Sequence, residues 1–181
     1  MVITFPADAE PIALADRDGA TARIASIIVR FKADAYRADA EAQAREIVDG
    51  AVCADAFLLA ITAPAGADPA VLTGMPILAP PQWDQRVADR LRWSLADTGG
   101  PDVRDTVTLP TGIGPAVVVE RTPPMLPRES RPRYRQLQAF LCDDTTSMLL
   151  LTLSTISGRG WDAQCAQFVR MVASARQGDR D

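Results

Sequence analysis

Histidine is absent from the 181 residues, and with it goes most of the familiar machinery of hydrolysis. Without an imidazole the chain has no Ser-His-Asp or Cys-His nucleophile, and the common zinc sites lose their usual nitrogen ligand. Cysteine is scarce and scattered. Cys53, Cys142 and Cys165 each sit in an apolar pattern, which reads as three buried thiols rather than a disulfide or a metal site. Lysine occurs once, at Lys32, with no glycine loop before it to cradle a phosphate, so it reads as a surface or snorkelling residue. Long apolar runs are missing too: none approaches the roughly 18 residues of a membrane span. The start, Met1-Val2-Ile3-Thr4-Phe5-Pro6, lacks the basic and apolar regions of an export signal, so a cytoplasmic location is expected.

What is present describes an ordinary globular chain. Hydrophobic residues make up 48% and charged residues 23%, well away from a disordered composition, and the 6% aromatic share leaves packing mainly to aliphatics. A net charge of −4 offers no long-range attraction to polyphosphate, so nucleic acid is not expected as a partner. The length suits one domain over 1–181 that buries its core without disulfides, with residues 1–2 and 177–181 fraying.

Periodicity gives the order of elements. Ile24, Ile27, Ile28, Phe31 and Ala35 recur at helical spacing behind the candidate caps Asp16 and Asp18. A weaker alanine stripe through Ala38, Ala42 and Val48 follows, ending at Gly50, and two helical segments joined near Asp34 are favoured over one. Val52 to Thr62 is apolar in both registers and predicts a central strand covered on both faces. Val71 to Leu78 predicts a short strand that Pro76 places at an edge. Trp83, Val87, Leu91 and Leu95 mark a second amphipathic helical unit, stopped by Gly99-Gly100-Pro101. Val103 to Leu109 and Ala116 to Arg121 predict a hairpin around a turn from Pro110 to Pro115, and prolines 123, 124 and 127 carry the chain over the surface.

A closing unit follows: strand Tyr134–Cys142, turn Asp143-Asp144-Thr145-Thr146-Ser147, strand Met148–Ile156, and a helix opened by Trp161 and lined by Cys165, Phe168, Val172 and Ala175. Helices first, then hairpin-linked strands, then a helix: this order argues for an α+β domain. Its antiparallel sheet forms largely from hairpins, with N-terminal, middle and C-terminal helices packed on it.

Candidate chemistry is thin. The Asp143 to Ser147 segment holds oxygens a hard cation would accept, but these are also the residues a tight turn selects. Gly112 and Gly114 lack the strand-glycine-helix setting of a phosphate loop. Arg131, Arg133 and Arg135 alternate, which lays them on one face of an extended chain, with Arg121 and Arg128 near in sequence. They are the candidate partner-binding residues, able to grip carboxylates through forked guanidinium hydrogen bonds. The plainer reading is a charged strand edge that discourages aggregation. No catalytic, metal or cofactor residue is assigned.

The entry Ile3-Thr4-Phe5-Pro6, the late hairpins, and the strand Leu150-Leu151-Thr152-Leu153-Ser154-Thr155 before an aromatic-lined terminal helix resemble the PsbP-like domains of actinobacteria. That resemblance implies an α/β/α sandwich acting as a binding or assembly module without catalysis. The chain shows neither the export signal nor the lipobox cysteine of many such domains. The expectation is thus a non-enzymatic module that binds another protein, in a larger bacterial system such as a secretion apparatus, with homo-oligomerisation left open. The alternatives are a small-ligand pocket between the N-terminal helices and the sheet, and a divergent enzyme built on carboxylates.

Overall fold

The structure is a computed structural model that describes residues 1–31, 37–122, 135–142, 147–155 and 158–178; at 31, 37 and 38 it describes the backbone only. Its elements run β1 (Glu10–Pro11), α1 (Arg17–Phe31), α2 (Arg37–Cys53), β2 (Leu58–Thr62), β3 (Ala70–Leu78), α3 (Gln85–Thr98), β4 (Val103–Thr111), β5 (Gly114–Arg121), β6 (Arg135–Cys142), β7 (Ser147–Thr155) and α4 (Trp161–Ala173). The seven strands form one antiparallel sheet in the order β1-β2-β3-β7-β6-β5-β4. The α+β reading holds, and the helices split between the two faces.

Cross-strand register decides which side chains share a face, because directly opposed residues of an antiparallel pair point the same way. Leu137, Leu151, Leu153 and Leu72 lie on one face under Trp161, Phe168, Met171 and Val172 of α4. Full burial of Phe168 or Val172 contributes about 1.5–3 kcal/mol each. Leu59 and Ile61 lie on the opposite face under α1 and α2, and Val117, Val119 and Phe140 share that face under α3 at the far end of the sheet. The face of α2 that packs is not the one expected through Ala42, which is exposed. Ala40, Ala44, Val48 and Ala51 are all buried, and Ala44 and Val48 join Ile24 and Ile27 of α1 in one core cluster.

Several boundaries differ from the sequence expectation, each for a physical reason. The helix does not stop at Gly50. It continues to Cys53 and ends in a Schellman turn, where Asp55 takes a left-handed φ of 56°, its N–H donates to the Val52 carbonyl, and Ala56 donates to the Ala51 carbonyl. Val52 and Cys53 are therefore helical, and the strand begins only at Leu58. Both of its faces are covered, as expected, but it lies next to the two-residue edge strand β1 rather than at the sheet's centre.

Pro76 misled in the other direction, since β3 lies inside the sheet between β2 and β7. β2 pairs only as far as Leu58, opposite Gly74, whose carbonyl accepts from the Phe57 N–H at 3.0 Å. Residues 74, 76 and 78 turn their backbone groups to that side, so the N–H that Pro76 lacks falls just past the end of β2. The β4–β5 hairpin is tighter than expected: Thr111 pairs with Gly114, leaving only Gly112 and Ile113 in the turn. Val2, grouped with the loose terminus on sequence, exchanges backbone hydrogen bonds with Arg176 at 2.8 and 3.0 Å. The break between the N-terminal helices falls at residues 32–36 and the β6–β7 turn at 143–146, both outside the described residues.

Candidate functional site

The arginine stripe divides. Arg131 and Arg133 lie outside the described residues, whereas Arg135 opens β6 on the α4 side of the sheet, opposite Thr155. Its guanidinium lies 5.6 Å from the centroid of the Trp161 ring, a cation–π contact at the start of α4. Arg135 thus helps seat α4 on the sheet. The Trp161 indole donates to Glu120 Oε1 at 2.9 Å, and burial, aided by Glu120 and Asp162, pushes the Cys165 thiol up to about 12. These groups bind one another and leave a structural cluster, with its thiol protonated at neutral pH.

A different surface stands out on α3. Asp84 caps that helix, its carboxylate accepting from the Val87 N–H at 2.8 Å, and Ala88, Leu91 and Leu95 face the sheet. Trp93 points the other way and is 59% exposed, unusual for the largest apolar side chain. The guanidinium of Arg92 stacks 4.3 Å from its ring centroid. Arg90 and Arg86, one and two turns before Trp93, are exposed and form no ion pair among the described residues. Trp93 carried a sequence signal that went unread, since it sits on the polar side of a helix whose apolar stripe is complete without it.

Between the α1/α2 pair and α3, the middle of the same sheet face presents side chains of β3, β7, β6 and β5. One cross-strand row is Thr73, Thr152 and Gln138; the next is Ser154, Gln136 and Arg121. Arg121 is held from three directions: Nε donates to Gln138 at 2.9 Å, and Nη1 donates to the Gly99 carbonyl at 3.0 Å and to Asp102 at 2.9 Å. In return the Arg121 hydrogen bond holds the Asp102 carboxyl below its usual range, the direction opposite to that of a catalytic acid. Asp8, far away, accepts from the Thr62 hydroxyl and the Ala63 N–H, both at 2.9 Å, and ties the N-terminal segment to β2. Among the described residues no three His, Cys, Asp or Glu side chains gather to hold a metal ion, and no helix is long and apolar enough to cross a membrane.

No family model matches the chain, and neither does any curated protein or solved structure. The functional reading rests on these surfaces alone.

Proposed function

We propose that the chain is a non-enzymatic protein-binding module whose partner docks on the outer face of α3. The observation that carries this reading is Trp93, more than half exposed and stacked by Arg92, with Arg86 and Arg90 along the same helix in no ion pair among the described residues. Tryptophan and arginine dominate the energetics of protein interfaces. A flat ring already held by a guanidinium loses little freedom when a partner covers it. These exposed arginines call for a partner segment carrying carboxylates next to an apolar group. Assembly of a larger bacterial system is the setting such a module would serve.

Trp93→Ala tests the reading directly, because an exposed side chain can be removed without disturbing the core. Loss of a central tryptophan contact of at least ~2 kcal/mol weakens partner binding about 30-fold. The measurement is quantitative affinity purification from the native host with wild-type and variant baits, followed by titration of the recovered protein. Equal recovery by Trp93→Ala and by Arg86→Glu combined with Arg90→Glu would remove α3 as the docking face.

A further inference from the structure

We propose that the partner on α3 is a second copy of this chain, bound with the two α3 helices antiparallel about a two-fold axis. This rests on the proposed docking at α3 and names its partner. Arg86, Arg90, Trp93 and Asp97 follow one another at helical spacing, so they form one stripe along α3, and all four are exposed. The charges of the stripe are segregated, with the arginines toward its N-terminal end and the aspartate at its C-terminal end. Neither Arg86, Arg90 nor Asp97 forms an ion pair among the described residues.

Within its own helix this arrangement is unfavourable. The first turn holds no acidic residue and the last turn no basic one, so Arg86 sits at the positive end of the helix dipole and Asp97 at the negative end. Arg86 and Arg90 are also like charges one turn apart, which repel. A second α3 running the opposite way reverses these effects, because it brings its C-terminal end and its Asp97 to Arg86, and its own Arg86 to Asp97. The residue numbers of Arg86 and Asp97 add to the same total as those of Arg90 and Trp93, which is the condition for both pairs to meet in a single antiparallel register. Each contact is then made twice, as an isologous interface requires. Arg92 already lies 4.3 Å from the Trp93 ring centroid, and Arg90 of the second copy takes the other face of the ring in a further cation–π contact. Parallel pairing would set Arg86 against Arg86 and Asp97 against Asp97, so repulsion selects the antiparallel form. The 14 residues of α3 make a helix about 21 Å long and about 10 Å across. Each copy therefore contributes less than the ~800 Å² per partner of a stable complex, and the dimer is weak and reversible.

Sedimentation velocity of the full chain between about 10 μM and 1 mM should show a monomer–dimer equilibrium. It should shift toward monomer between about 50 and 500 mM salt, and Trp93→Ala should weaken it about 30-fold. The deciding variants are Arg86→Asp and Asp97→Arg. Each gives α3 a charge that its own dipole prefers, so both are expected to keep the wild-type melting temperature. Either one alone sets like charges against each other across the dimer and should be monomeric throughout the range. Mixed in equal amounts the two should dimerise about as well as the wild type, since every pair is again of opposite sign. A wild-type chain that stays monomeric at the top of the range overturns the inference, as does a dimer that either single variant leaves intact, or a mixture no more dimeric than its components. Docking at α3 is tested apart from this: a monomeric chain whose capture of a different protein is lost in Trp93→Ala would keep α3 as the docking face and remove only the second copy.

Discussion

Gly160 and Gly66 provide a matched pair of substitutions that weighs one tertiary contact. Both have left-handed backbone, φ +72° and +79°, and both lie close to the junction of the β2–β3 loop with α4. A Cβ at Gly66 would meet nothing within 4 Å, whereas one at Gly160 would sit 2.4 Å from the Cα and Cβ of Ala67. Gly66→Ala therefore incurs only the left-handed strain of about 1–2 kcal/mol. The lower entropy of the unfolded chain offsets about 0.4–1 kcal/mol of that strain. Gly160→Ala incurs the same strain and must also push back the backbone at Ala67.

That backbone has little freedom to move. Asp68 N–H donates to the Arg159 carbonyl at 3.1 Å, Arg159 Nε donates to Asp68 Oδ1 at 2.7 Å, and the fully buried Gln164 donates to the Asp68 carbonyl at 2.5 Å. Overpacking of this kind adds about 1–3 kcal/mol. Urea unfolding of the two variants side by side should show Gly160→Ala less stable than Gly66→Ala by that margin. Equal midpoints would mean that the loop gives way freely, and the tight docking of α4 on Ala67 would have to be abandoned.

Two more expectations concern ionisable groups. Cys53 is exposed, Cys142 is buried and the Cys165 thiol is pushed up to about 12, so a thiol reagent at pH 8 should modify one thiol per native chain and three in urea. Rapid native labelling of Cys165 would contradict its burial. The folded Asp102 carboxyl titrates below its unfolded value because of Arg121, so its contribution to stability is present above about pH 4 and is lost as pH falls through the folded value. Asp102→Asn should lower the urea midpoint at pH 7 and converge with the wild type at lower pH; a gap that does not change with pH would place the effect elsewhere.

The closing hairpin and α4 were legible because local patterns and tertiary burial agree there. The Trp161, Phe168 and Val172 stripe meets the apolar face of β6 and β7, and both ends of the helix fall near the predicted residues. Where the two disagreed, the neighbouring strand decided. Pro76 looked like an edge residue because a proline lacks a donor, and sequence does not reveal that β2 stops two residues short of needing one. Gly50 looked like a helix stop, but the helix runs on to Cys53 and the left-handed residue beyond its end is Asp55, where a glycine is the usual choice. Arg135 read as one member of a basic stripe, while the Trp161 ring beside it comes from a helix more than twenty residues later.

By itself the sequence determined the class of the fold and the chemistry open to it, since periodicity and composition are local properties: helices, hairpins, no imidazole, one lysine. Only the tertiary structure decided where that chemistry meets a surface. The row of Thr73, Thr152 and Gln138 draws on residues up to 79 positions apart in the chain, brought side by side by backbone register. Which side chains share such a row depends on strand pairing and register, and no local pattern records it.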